Sequence, residues 1–286
     1  MPGRLITYNI LMAYEISHFL IHKRAGTEEL AAVKVDMSKA YDRVEWSYLR
    51  AIMGKLGFAV QWIDRVMACV ETVSFSVRVN GNYSEVFKPT KGIRQGDPIS
   101  PYLFLLCREG FSSLLNFYNG GTIDRGLRVS YRSPWVTHLL FADDSLIFIS
   151  ASNPSALRLN DILSIYGEAS GQCVNREKSS IYFSTNTPDS LRQLLKATLN
   201  IQVEAFSAKY LGLPTDVGCI TSGTFEHISE RAHGKIQGWS EKLLACAGRE
   251  VLLKSVVQAI PTYPMSTFLL TKKVCKSLTS PMAKYF

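Results

Sequence analysis

The sequence predicts an α+β fold, a domain of mixed strands and helices followed by a smaller helical region. Three observations lead there. Strand-like and helix-like stretches are interspersed through the first part of the chain, and from about 220 onward it reads as mainly helical. Hydrophobic residues make up 47% of the 286, enough to bury a sizeable core. A boundary is expected within 205–220.

The elements follow in order. Residues 5–24 carry Leu5, Ile6, Ile10, Leu11, Tyr14 and Phe19 near helical spacing, ended by "RAG". "LAAVKVDM" (30–37) is a strand with Asp36 near its end. Residues 38–57 read as a helix with Ser38 as N-cap and Gly57 as stop. A further helix covers about 60–71. Asn80-Gly81, between alternating runs, signals a hairpin. The turn-rich "PTKGIRQGDPISP" leads into a helix over 99–118. Residues 127–150 read as strands with "ADD" at a tight turn. A helix (155–170), a strand (180–184), a helix (188–198) and a small hairpin at "KYLGLP" (209–214) complete the first part. From about 220 the chain is helical, interrupted by "AIPTYPM" (259–265).

The formal net charge is +8, spread over several basic stretches, which suits a polyanion such as nucleic acid. No apolar run spans a bilayer, so no membrane partner is expected. The six cysteines form no CxxC pair and read as reduced, mostly buried thiols of an intracellular protein.

"HLLFADDSLIFIS" (138–150) places Asp143 and Asp144 side by side between two apolar runs. Ten aspartates in this length give about 0.3 adjacent pairs by chance, so "ADD" alone says little. The flanks are informative, because they make the pair the charged tip of a buried hairpin. Two like charges so close repel, and a divalent cation relieves them. Asp36 also ends an apolar strand, and it completes a three-carboxylate cluster if the strands are neighbours. Two metals held there would activate a hydroxyl and stabilise a departing pyrophosphate. Asp42 is the rival, read as structural or salt-bridged within the helix.

"KVDMSKAYDRVEW", "KGIRQGDPISPYLF", "HLLFADDSLIF", "GQCVNREKSSIYFS" and "KYLGLP", in this order, resemble the successive palm motifs of a reverse transcriptase. Residues 248–270 are similar to the thumb segment of LINE-type, non-LTR retrotransposon polymerases of plants. The resemblance implies a palm, an antiparallel sheet packed on helices, with a remnant of the fingers over 1–210 and a small helical thumb-like region over 211–286, with the fingers largely missing. It implies RNA-directed DNA polymerase activity with two Mg²⁺ ions, Mn²⁺ being the alternative, an RNA template, a DNA primer and dNTPs.

Residue by residue, it assigns the metals to Asp36, Asp143 and Asp144, and a proton donor to Lys178. Tyr41 becomes the gate that excludes a ribose 2′-hydroxyl. Gln95 and Gly96 line the nucleotide pocket, with Arg94 beside the template. Tyr210, Leu211 and Gly212 form the primer grip, and Lys254 follows the duplex backbone. Two other outcomes of the same sequence are an inert remnant that binds nucleic acid and a two-metal hydrolase. Arg108 departs from the family, which has a small residue there. It lies about 80° from the centre of its helix's apolar stripe and is expected to reach outward.

Overall fold

The computed structural model describes residues 5–119, 125–205, 209–215, 224–240 and 244–286. The described chain falls into two compact units: residues 19–206, and residues 1–18 together with 207–286.

Helix α1 (Ile6–His22) begins in the second-named unit and ends in the first. Strand β1 (Leu30–Met37) is the centre of the larger unit. Its odd-numbered residues Ala31, Val33, Val35 and Met37 point into the main core, so Lys34 and Asp36 share the opposite face. Helices α2 (Trp46–Lys55) and α3 (Val60–Glu71) follow. The short strands β2 (Arg78–Val79) and β3 (Asn82–Tyr83) form the hairpin that Asn-Gly predicts, with Asn80 and Gly81 both at positive φ.

Helix α4 (Ser100–Asn119) presents Leu103, Phe104, Cys107, Phe111 and Leu115 to the core. Strands β4 (His138–Phe141) and β5 (Asp144–Ser150) then pair antiparallel, with Phe141 opposite Asp144. Helix α5 (Asn153–Ser170) is capped by Ser152 at its start and by Gly171 (φ 78°) at its end. Strand β6 (Val174–Phe183), helix α6 (Asp189–Leu199) and strand β7 (Val203–Glu204) complete the unit. The sheet order is β4-β5-β1-β6-β7. Four strands are antiparallel as expected, but β7 runs parallel to β6, so the sheet is mixed.

In the other unit, β8 (Lys209–Tyr210) and β9 (Leu213–Pro214) make the predicted hairpin, with Leu211 and Gly212 at positive φ. Helices α7 (Glu226–Ser240), α8 (Cys246–Leu252), α9 (Thr262–Met265) and α10 (Lys272–Tyr285) follow. Helix α8 continues into a π-helical turn, Leu253–Val257. Ile10, Phe225, Ile228, Val257, Phe268 and Leu278 share this unit's apolar core.

Three expectations change. Residues 38–45 are turns, not the first part of a helix, which starts only at Trp46. Their backbone groups have partners elsewhere: Ser38 N–H donates to Cys173 O (2.8 Å) and Glu45 N–H to Ser170 O (3.0 Å). Gly92 N–H donates to Val44 O (2.8 Å). Tertiary bonds thereby replace the helical ladder. Strand β6 starts six residues earlier than the predicted 180, and it is interrupted by an irregularity opposite Asp36. Of the five described cysteines only Cys107 is buried. Cys69, Cys173 and Cys246 are exposed, and Cys219 lies outside the described residues.

Candidate active site

The site begins with strand register. Val35 pairs with Ser145, so Asp36 and Asp144 follow one step further on adjacent antiparallel strands and on the same face. Asp143 precedes them in the two-residue β4–β5 turn. Ala142, the other turn residue, takes φ 49°, a left-handed conformation that costs a non-glycine residue about 1 kcal/mol. The sequence thus spends backbone strain to project Asp143 from the hairpin tip.

The electrostatics tie the carboxylates together. Burial raises the pKa of Asp36 above its ordinary 3.8, Asp143 and Asp144 raise it further, and Lys178 and Lys34 oppose them. Asp144 faces Lys34, whose Nζ lies 3.7 Å from a carboxylate oxygen. Among the described residues, no three acidic, histidine or cysteine side chains already stand at ligand spacing. The expected cluster is therefore a shared electrostatic neighbourhood rather than a closed cage. Chemically, the donor set suits a hard divalent cation: three carboxylates, oxygen only, with Asp36 paying for its ionisation.

The irregularity in β6 supplies Lys178. Lys34 pairs with Ser180, but Asp36 pairs with Asn175, so Arg176, Glu177 and Lys178 bulge out. Asn175 Oδ1 accepts from the backbone N–H groups of Glu177 (3.1 Å) and Lys178 (3.2 Å). Ser179 Oγ donates to Asn175 O (2.6 Å) and accepts from Asp36 N–H (3.1 Å). One serine hydroxyl therefore fixes both the bulge and the backbone of Asp36.

Tyr41 sits in the 38–45 turn, not on a helix. Its ring stacks on Phe104, with centroids 4.7 Å apart and planes 15° apart. Burial and the charge of Asp143 raise its phenol pKa, which places the ring beside the carboxylates. Asp42, also in the turn, forms no ion pair among the described residues. Ile93 N–H donates to Tyr41 O (2.9 Å), and Trp46 Nε1–H donates to Gly92 O (2.8 Å). These bonds tie the 91–97 loop to the Tyr41 turn. Exposed Arg94 and Gln95 line a cleft of about 420 Å³ with Phe75 and Asp97, and Arg94 lies over the Phe75 ring at 6.0 Å. Gly96 takes φ 87° with open space around it.

The remaining predicted residues belong to the other unit. Tyr210 is only 2% exposed, so its ring packs inside the unit. The neighbouring Tyr263 Oη donates to Leu211 O (2.8 Å), and Gly212 is exposed. Lys254 is exposed and paired with Glu250 (2.7 Å).

Two charged neighbours of the carboxylates escape the motif reading. Lys34 is legible in retrospect, since strand alternation puts it on the face of Asp36. Arg108 is the correction: it is 4% exposed and does not reach outward. It donates from Nη2 to Ser145 Oγ, lies 4.9 Å over the Phe111 ring, and interacts with the charge of Asp143. Among the described residues its Nε and Nη1 make no hydrogen bond, although the Tyr166 hydroxyl lies near enough to favour the charge. The helix stripe alone conceals this, because Ser145 offers a polar contact from the sheet.

The model of the family described as "Reverse transcriptase (RNA-dependent DNA polymerase)" matches residues 5–215. Over 113 residues the chain is 38% identical to an uncharacterized mitochondrial protein of Arabidopsis thaliana, covering 38% of this chain and 89% of that one. Over 261 residues it is 26% identical to the transposon TX1 149 kDa protein of Xenopus laevis, covering 90% of this chain and 19% of that protein. Its fold matches a telomerase of Candida tropicalis solved with a TWJ fragment of telomeric RNA. The TM-score is 0.52 at 14% identity, over 98% of this chain and 42% of that one. The chain thus spans about a fifth of the transposon protein and less than half of the telomerase. Members of the matched family generally use divalent metal ions. With a family match over residues 5–215, the chain belongs to the reverse transcriptase family, as a domain of the LINE type.

Proposed function

We propose that this chain is the polymerase domain of a reverse transcriptase that extends a DNA primer on an RNA template from dNTPs. The observation that carries the reading is the register that sets Asp36 beside Asp144, with Asp143 at the adjoining tip. Asp36, Asp143 and Asp144 would hold two Mg²⁺ ions, or Mn²⁺ in their place. The ions supply activation of the primer hydroxyl and charge neutralisation at the leaving pyrophosphate.

The protein's own groups do the rest. Ser179 orients Asp36 through its backbone. Lys178, on the bulge, carries a proton toward the leaving group and offsets the carboxylate charge. Tyr41, braced on Phe104, blocks the sugar 2′ position. Gln95 and Gly96 receive the nucleotide, Arg94 the template, and the Leu211–Gly212 backbone the primer; Lys254 tracks the duplex. The division into a palm with a fingers remnant over 1–210 and a thumb-like region over 211–286 belongs to the same proposal.

A second reading, an inert descendant that binds nucleic acid, is favoured by one observation: Lys34 already pairs with Asp144. Primer extension on an RNA template separates the two. Divalent-dependent extension supports the first reading; salt-sensitive duplex binding without extension supports the second. In an extending enzyme, Tyr41→Ala is expected to raise rNTP incorporation at least tenfold relative to dNTP. An unchanged ratio removes the gate from Tyr41.

A further inference from the structure

The carboxylates occupy one end of the β1–β5 pair. The other end, where Leu30 pairs with Ser150, opens into a cleft of about 620 Å³. Six strand residues separate Leu30 from Asp36, about 20 Å at the usual rise. The cleft lies wholly within the 19–206 unit. None of the residues assigned above to metal, nucleotide, template or primer lines it.

Its lining is basic and aromatic. Among the described lining residues, Lys23, Arg125 and Arg128 stand against one carboxylate, Glu28. The Arg128 guanidinium lies 4.7 Å from the Trp135 ring centroid and 5.3 Å from that of Tyr131. Tyr131 is 86% exposed and Trp135 is 43% exposed.

The platform is held in shape by its own backbone. Leu127 and Val136 exchange both N–H to O bonds at 2.8 Å. Gly126 takes φ 79°, and a side chain there would collide with the carbonyl of Val136. Ser133 N–H donates to Ser130 O (3.1 Å), and Ser130 N–H donates to Ser133 Oγ (3.0 Å), closing the turn that displays Tyr131. Arg128 Nη1 donates to Tyr131 O (3.4 Å). Cations that track phosphates, interleaved with an open aromatic face, are the two parts of a single-strand binding surface. A duplex hides its base faces and offers nothing for the ring to stack on.

We propose that this cleft binds a single-stranded stretch of nucleic acid, with phosphates on Lys23, Arg125 and Arg128 and one unpaired base on the outer face of Tyr131. It is a second contact about six strand residues from the carboxylates, and so serves strand outside the primer–template duplex. The inference rests on the polymerase reading for the class of polyanion, while the cleft's geometry stands independently of catalysis.

The test is fluorescence anisotropy of a short labelled oligouridylate, and of the matching oligothymidylate, titrated at several salt concentrations without primer or dNTPs. Tyr131→Ala removes an exposed ring and leaves the fold intact, which a thermal melt verifies. It is expected to weaken binding about 10- to 100-fold, the range of one lost base stack. Arg125→Ala with Arg128→Ala is expected to flatten the salt slope by about 1.4, at about 0.7 per phosphate contact. Tighter binding of the uridylate assigns the site to RNA, and of the thymidylate to displaced DNA; either sustains the site. Wild-type affinity and slope in both variants overturn it. Primer extension run in parallel separates the two claims. Extension with Tyr131-independent binding sinks the cleft alone, and Tyr131-dependent binding without extension sinks the polymerase reading alone.

Discussion

Asp36 carries its charge against its surroundings. Burial and two neighbouring aspartates raise its carboxyl above the ordinary 3.8, so the folded chain binds that proton more tightly than the unfolded chain does. The resulting stability is full below pH 3.8 and is lost as pH climbs through the folded value. At neutral pH the ionised group therefore costs stability. Asp36→Asn is expected to stabilise the metal-free protein at pH 7 by about 0.5–1 kcal/mol, the scale of one cross-strand like-charge pair. The gain should fade as pH drops through the folded value and be gone below 3.8. Thermal melts across this range check it, and a variant no more stable than wild type at pH 7 contradicts the assignment. Arg108 poses the complementary question. Burial lowers its pKa, and Tyr166, the field of Asp143 and Tyr48 oppose that shift, with Ser145 and the Phe111 ring also against the guanidinium. Arg108→Met keeps the packing and removes the desolvation penalty, so its stability is expected within about 1 kcal/mol of wild type or above it. Arg108→Ala adds a cavity and should cost about 2–4 kcal/mol in urea melts. Equal losses in both variants would make the guanidinium itself the stabilising group.

Among elements, those built from neighbouring residues are the ones the sequence discloses. Asn80-Gly81 turns β2 into β3 because both residues accept positive φ; between β8 and β9 Gly212 accepts it freely, and Leu211 takes it at a steric cost. Helices α3 and α5 follow from apolar spacing and, in α5, from the Ser152 and Gly171 caps. The 38–45 turn is different. Its helical reading fails because residues 92–93 and 170–173 take its backbone hydrogen bonds, and no local pattern announces partners so remote. The same holds for the β6 bulge, where Ser179 and Asn175 answer to Asp36 on another strand. Gly92 is the joint that lets the 91–97 loop meet the Tyr41 turn. It has φ 88°, and a Cβ there would stand 2.7 Å from the carbonyl oxygen of Asp42. Gly92→Ala is expected to cost about 2 kcal/mol or more. By displacing Gln95 it should also raise KM for dNTP more than it lowers kcat. A variant as stable as wild type, with unchanged KM, would show that the joint is slack.

At the scale of the whole molecule, motif order carried the most information. Five motifs spread over some 180 residues name the carboxylates before any geometry is known, and register then sets two of them on one face of adjacent strands. The sequence could not disclose that Lys34 already pairs with Asp144, or that Tyr210 is committed to packing. Both depend on side chains that the motifs leave unspecified. The central claim is that these carboxylates drive templated synthesis, and one comparison tests it: extension of a DNA primer on an RNA template with Mg²⁺ and dNTPs, by wild type and by Asp143→Ala of equal melting temperature. Divalent-dependent extension by wild type, reduced at least a thousandfold in the variant, is the predicted result. Equal extension by both proteins, or none by wild type while it binds the duplex, would contradict it.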